Sequence, residues 1–89
     1  MCPYIKNEER TKFQYLLAEF GKVEVKTVGE LNFLLTSIIW MFVKRVGINY
    51  TNINNIIGCL ECVKQEFYRR VGIPYEEKKK LENGDSYIT

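Results

Sequence analysis

The sequence contains no histidine, and this absence limits the chemistry that the protein can perform. Histidine is the side chain whose charge changes most readily near neutral pH, and it is also the commonest metal ligand. Paired carboxylates do not replace it, because Glu8 with Glu9 and Glu76 with Glu77 are neighbours on predicted helices and diverge by about 100°. We therefore predict that the protein is not an enzyme and needs no cofactor.

Cysteine is also scarce, with Cys2, Cys59 and Cys62 forming an odd set of three. Cys59 and Cys62 make a C-x-x-C within a predicted helix, but a structural zinc site needs four ligands and even Cys2 leaves one missing. We predict no metal site. The chain does not open with a charged segment, an apolar stretch and a cleavage site, so we expect a reducing cytoplasm.

Long hydrophobic runs and a strong excess of one charge are both lacking. The most apolar run, residues 31–43, has 13 residues, whereas a membrane-spanning helix needs about 20. The net charge is only +2, which argues against the broad basic face of a dedicated duplex-DNA binder. We predict neither a membrane nor duplex DNA as a partner, and any anion site must be local.

Helical periodicity is what the sequence does contain. Apolar residues recur at helical spacing and predict three main helices, at about 8–20, 28–46 and 52–71. Asn7 is expected to cap the first helix, and the string TVGE fits a capping box at the start of the second.

Gly72 and Pro74 predict a break after the third helix. Glycine commonly ends a helix, and proline suits the first turn of the next one, so a further short helix is expected from Pro74 to the Asn-Gly-Asp turn. The predicted fold is therefore all-α. It is a single domain over residues 1–89, with three main helices, a short C-terminal helix and a tail.

The second helix has apolar residues on two sides. One side gathers six of them: Leu31, Leu35, Ile38, Ile39, Phe42 and Val46. Phe33 and Trp40 point the other way, and a small domain cannot easily bury both sides by itself. We predict that Phe33 and Trp40 line a homo-oligomer interface; the alternative is that the first helix or the tail covers them.

A cluster of arginine, tyrosine and lysine lies near the end of the chain. Tyr68 and Tyr75 bracket Arg69 and Arg70, and this composition binds phosphates while stacking on flat bases. Lys79 follows Tyr75 by one helical turn and adds a positive charge. These residues predict a site for an anionic ligand.

Plainer interpretations of this region remain open. Glu66 and Arg70 have the i,i+4 spacing of an ordinary surface ion pair, which would leave Arg69 solvated. Asn54 is either a capping or solvated residue, or a group that hydrogen-bonds to base edges. The Asn-Gly-Asp turn is typical of a helix end, although it also sets the position of Tyr87, which we include among the ligand-binding candidates.

Residues 50–87 resemble a known family through a combination of short motifs. The string YTNINNIIGCLECVKQEFYRRVGIPYEEKKKLENGDSY matches the pattern Y-x-N-x-N, then G-x-L-E, E-F-Y-R-R, P-Y-E and N-G-D-x-Y. This pattern is similar to that of a widespread family of small bacteriophage proteins, which we identify as the anti-CBASS sponges. Their members sequester the cyclic dinucleotides that activate a bacterial defence. Gly72 and Ile73 depart from the family pattern after the arginines.

The resemblance implies a phage immune-evasion protein that works in the host bacterial cytoplasm. It implies a compact helical homo-oligomer, expected to be a tetramer, that binds 3′3′-cyclic GMP-AMP or a relative without cleaving it. Two other functions stay open. One is an inhibitor that binds a host protein through the apolar helix face, and the other is an accessory protein for single-stranded nucleic acid.

Overall fold

The computed structural model describes residues 2–87, which form helices and contain no strand. The elements are α1 (Asn7–Arg10), a 3₁₀ turn (Thr11–Phe13), α2 (Gln14–Lys22), α3 (Val28–Val46), α4 (Tyr50–Phe67), a π-turn (Tyr68–Gly72) and α5 (Ile73–Asn83). The prediction of an all-α fold is confirmed. Among residues 2–87, no helix combines the length and apolarity that crossing a membrane requires.

The chain divides into two units by its internal contacts. The first unit is Pro3–Ile56, which holds α1, α2, α3 and the first two turns of α4. The second unit begins at Ile57, includes the π-turn and α5, and also takes in Cys2.

The first predicted helix is present, but its start differs from the prediction. Asn7 lies inside α1, and Lys6 occupies the capping position without a side-chain cap. Instead, Arg10 Nε donates to the Ile5 carbonyl oxygen at 2.8 Å, and the Thr11 hydroxyl donates to the Glu8 carbonyl at 2.9 Å. The expectation that Asn7 caps the helix is therefore wrong, because Asn7 is already the first residue of α1.

Helix α3 has the predicted bounds and the predicted capping box. Thr27 Oγ1 accepts from the Glu30 amide at 3.1 Å, and Glu30 Oε1 accepts from the Thr27 amide at 3.0 Å. The Lys26 amide adds a bond of 2.9 Å to the same oxygen. These bonds, first from Lys26 and then from Thr27, lower the pKa of the Glu30 carboxyl, because they favour its charged form.

Asparagines make the connection from α3 to α4 within the first unit. Asn49 Oδ1 accepts from the Asn52 amide at 2.8 Å, so Asn49 caps α4, which starts at Tyr50, two residues before the predicted start. Asn52 Nδ2 donates to the carbonyl oxygens of Val46 and Gly47 at 3.1 and 3.0 Å. Gly47 supplies the positive φ of 103° that ends α3. One side chain thus ties the end of one helix to the start of the next.

Asn52→Ala is expected to lower the free energy of unfolding by about 1–2 kcal/mol, because it removes both bonds to the last carbonyls of α3. The matched control is Asn54→Ala, on the same helix with an exposed side chain, which should change stability by less than about 0.5 kcal/mol. Urea denaturation at one fixed protein concentration measures the free energy of unfolding of both variants. Equal losses of stability in Asn52→Ala and Asn54→Ala would show that the Asn52 connection does not stabilise the fold.

Burial within the chain is sparse. Val43 and Ile56, both in the first unit, are the buried hydrophobic residues of the described chain. Five of the six apolar residues that gather on one side of α3 are 41–52% exposed: Leu31, Leu35, Ile38, Phe42 and Val46. This side of α3 is therefore only partly covered within the chain.

The predicted helix break at Gly72 is also wrong. Gly72 has helical angles, φ −65° and ψ −51°, and the chain passes through the π-turn into α5. The Ile73 amide bonds to the Tyr68 carbonyl, five residues back. Pro74 lacks an amide hydrogen, and its ring would clash with a carbonyl four residues earlier in an α-helix. Widening the preceding turn lets the helix continue past the proline.

Candidate functional site

The second unit contains a groove of about 460 Å³, formed by α5 and the segment that follows it. We call it the C-terminal groove. Its lining residues are Tyr75, Glu76, Glu77, Lys79, Lys80, Asn83, Gly84, Asp85, Ser86 and Tyr87. Three of the predicted ligand-binding residues, Tyr75, Lys79 and Tyr87, thus lie along one surface. Its volume falls within the range of small-molecule sites, about 300–1,000 Å³.

The turn after α5 shapes one side of the groove. Gly84 adopts a φ of 93°, and its amide donates to the Lys80 carbonyl at 2.8 Å, which ends the helix. Asp85 Oδ1 then accepts from the Tyr87 amide at 3.1 Å, a local turn that aspartate favours. The Asn-Gly-Asp sequence therefore ends the helix, as predicted, and also places Tyr87 in the wall of the groove.

Lys79 is engaged by its neighbours on α5. Its Nζ lies 5.6 Å from the centroid of the Tyr75 ring, a cation–π distance, and 3.1 Å from Glu82 Oε2. Lys80 Nζ lies 3.7 Å from a carboxylate oxygen of Glu77. The lysines of the groove are therefore partly neutralised by carboxylates.

Three carboxylates line the groove together with the two lysines. They are Glu76, Glu77 and Asp85, which are not among the site residues predicted from the sequence. Carboxylates repel phosphate, but they accept hydrogen bonds from the amino groups of bases. With tyrosines beside them, they suit a flat heterocycle with amine donors better than a bare anion. Their signal in the sequence is their position between the predicted residues: Glu76 and Glu77 lie between Tyr75 and Lys79, and Asp85 lies between Lys79 and Tyr87.

Arg69 and Arg70 lie in the π-turn and do not line the groove. A terminal nitrogen of Arg69 lies 2.9 and 3.0 Å from the two carboxylate oxygens of Glu66. The contact between Glu66 and Arg69 was not predicted from the sequence. This pair has i,i+3 spacing and is partly exposed, so it contributes little to stability.

Tyr68 makes two contacts that were not predicted from the sequence. Its hydroxyl donates to the Glu76 carboxylate, and this bond, with the charge of Glu76, raises the pKa of the Tyr68 hydroxyl. Its ring lies against Gly72, where an added Cβ would come within 2.6 Å of the ring carbon Cδ2. The signal for this contact is the spacing of four residues between Tyr68, Gly72 and Glu76.

The remaining predicted residues lie on other helices. Asn54 is exposed on the part of α4 that belongs to the first unit. Phe33 and Trp40, on α3, are 70% and 55% exposed, and Phe33 also lines an apolar cavity of about 320 Å³ with Val23 and Leu34.

Among residues 2–87, no group of three histidine, cysteine, aspartate or glutamate side chains is placed to hold a metal ion.

Comparisons with known proteins place the chain in one family. Neither the comparison with curated proteins nor that with solved structures found a match. One family model, described as a domain of unknown function (DUF6899), matches residues 2–86, which is nearly the whole chain. The chain therefore belongs to the DUF6899 family.

Proposed function

We propose that the protein binds and sequesters a cyclic dinucleotide of the 3′3′-cyclic GMP-AMP type without cleaving it, and so blocks activation of a host CBASS effector. The observation that carries the proposal is the C-terminal groove, which brings Tyr75, Lys79 and Tyr87 to one surface. All three belong to the segment whose motifs resemble the sponge family.

The groove and the arginines have complementary roles in this proposal. Tyr75 and Tyr87 stack on a base, and the carboxylates of the groove accept hydrogen bonds from its amino groups. Arg69 and Arg70 bind the phosphates, since a guanidinium carries five donors and matches phosphate oxygens in a two-pronged geometry. Binding of this kind needs no wide basic face, which agrees with a net charge of +2.

The proposal includes assembly into a homo-oligomer. In the first unit, Phe33, Trp40 and most of the opposite apolar side of α3 are exposed. An uncovered apolar surface on both sides of one helix fits an interface between copies. A second copy that covers α3 accounts for the exposed Phe33 and Trp40. A two-fold axis between copies also matches the two similar halves of a cyclic dinucleotide.

The test is isothermal titration calorimetry with 3′3′-cyclic GMP-AMP, followed by heat denaturation and chromatography of the released ligand. We expect tight binding and intact ligand, because a sponge lowers the free messenger by mass action alone. Tyr87→Ala should weaken binding by about 5- to 150-fold through lost stacking, while Tyr87→Phe should retain it. No binding would overturn the proposal, and a degraded ligand would overturn sequestration without cleavage.

An inhibitor that binds a host protein is the second candidate. The exposed Phe33 and Trp40 favour it, because an uncovered apolar helix face fits a protein partner as well as a second copy. This candidate predicts a monomer in isolation. A binder of single-stranded nucleic acid is less favoured, because the carboxylates in the groove would repel a phosphate chain.

A further inference from the structure

The π-turn carries both arginines and directly precedes α5, the helix that forms the groove. A π-turn contains one more residue than an α-turn, and one added residue changes the direction of the following side chains by about 100°. Single π-turns within α-helices are rare and are frequently found at functional sites. The state of this turn therefore decides where Arg69 and Arg70 point relative to Tyr75 and Lys79, all within the second unit.

Tyr68 contacts both the backbone of the π-turn and a residue beyond it. Its carbonyl oxygen accepts from the Ile73 amide, the bond that spans the wide turn. Its ring covers Gly72, and its hydroxyl bonds to the carboxylate of Glu76, which also lines the groove. Tyr68, the first residue of the turn, thus contacts the last residue of the turn and two residues of α5.

Gly72 is the position that makes this contact possible. An added Cβ would lie 2.6, 3.1 and 3.3 Å from three ring carbons of Tyr68. The nearest of these atoms is close to the ring's attachment point, so a small rotation of the side chain would not relieve the overlap. Alanine at this position would push the ring aside and separate the hydroxyl from Glu76.

From these contacts we infer that Tyr68, Gly72 and Glu76 form a clasp that holds the π-turn, and that Tyr68 is a positioning residue for Arg69 and Arg70. The clasp fixes the angle between the arginines and the C-terminal groove. Its effect on ligand binding rests on the proposed function, whereas its effect on the backbone does not.

The first experiment measures hydrogen exchange of the Ile73 amide by NMR. Tyr68→Phe keeps the ring over Gly72 and removes only the hydroxyl, so exchange should accelerate by about fivefold. Glu76→Ala should lose much of the protection of the Ile73 amide, whereas Glu76→Gln, which keeps an acceptor oxygen, should retain most of it. The matched control is Tyr50→Phe, at an exposed tyrosine on α4, which should leave Ile73 unchanged. Equal exchange in Tyr68→Phe and Tyr50→Phe would overturn the clasp.

Gly72→Ala provides a second, independent variant. Alanine favours helix, so replacing a helical glycine normally slows local exchange, as expected for Gly21→Ala in α2, where an added Cβ meets nothing within 4 Å. At Gly72 the displaced ring should instead accelerate exchange of the Ile73 amide. Slower exchange at Ile73 in Gly72→Ala would contradict the inference.

The second experiment titrates the same variants with 3′3′-cyclic GMP-AMP. Tyr68→Phe should raise Kd by about tenfold while leaving the mass of the oligomer unchanged; because phenylalanine still stacks, such a loss points to positioning. If exchange accelerates but Kd does not change, the positioning role is overturned. If the parent protein binds no cyclic dinucleotide, the proposed function fails, and the exchange experiment still decides whether the clasp exists.

Discussion

Arg69→Ala and Arg70→Ala are each expected to weaken binding of 3′3′-cyclic GMP-AMP by at least about 100-fold, while the protein keeps its oligomeric mass. Removing a guanidinium from a charged, hydrogen-bonded contact typically costs about 2–5 kcal/mol, and symmetry repeats the loss in each copy. The fold should not suffer, because Arg69 takes part in a partly exposed pair with Glu66 that contributes little stability. Calorimetry measures the Kd, and light scattering measures the mass of the oligomer.

The matched control for these variants is Arg45→Ala, at an exposed arginine in the last turn of α3. It removes the same charge and should leave Kd within about twofold of the parent value, since net charge alone has little effect at physiological salt. Arg69→Lys separates charge from geometry, because lysine keeps the charge but loses the two-pronged contact. If both alanine variants bind like the parent protein, the phosphates do not bind at the π-turn.

Trp40→Asp should dissociate the oligomer into chains of 10.5 kDa and lower the melting temperature by more than 10 °C. Trp40 is 55% exposed in a single copy, so a charge there would be tolerated by an isolated chain. At an apolar interface between copies, the same carboxylate would be buried without a partner, at a cost of several kcal/mol. Sedimentation equilibrium and thermal melting would detect the change.

Leu81→Asp is the control for the interface prediction. Leu81 is among the most exposed apolar residues, at 86%, and lies on α5, away from α3 in the sequence. The substitution Leu81→Asp should leave the mass of the assembly unchanged. A parent protein that sediments as a single chain would reject the homo-oligomer and favour a host protein as the partner of α3.

The bounds of α3 could be predicted from the sequence because its signals are local. Thr27 and Glu30 cap one end, and Gly47 provides the positive φ at the other, so neighbouring residues alone determine where the helix starts and stops. The groove was predictable in part for the same reason. Tyr75 and Lys79 are one turn apart, and the turn at Gly84 returns Tyr87 to the wall of the same groove.

The errors arose where a local rule permits two outcomes. Gly72 followed by Pro74 is compatible with a helix end or with a widened turn, and the contact of Tyr68 with Glu76, eight residues away, accompanies the widened turn. The contact of Arg69 with Glu66 depends on side-chain directions at the edge of that turn, which helical spacing alone does not give. The sequence also does not show what covers the apolar sides of α3, because helical periodicity identifies an apolar face but not which molecule covers it.

Val43 and Ile56 are the buried hydrophobic residues of the described chain, and this has a consequence for dosage. In the proposed assembly, folding and encounter between copies become one equilibrium, so the folded fraction rises with the amount of chain present. Dilute chains would be largely unfolded and open to proteolysis. The number of working binding sites would then increase more steeply than the amount of protein made, so the onset of messenger capture would show a threshold in expression level.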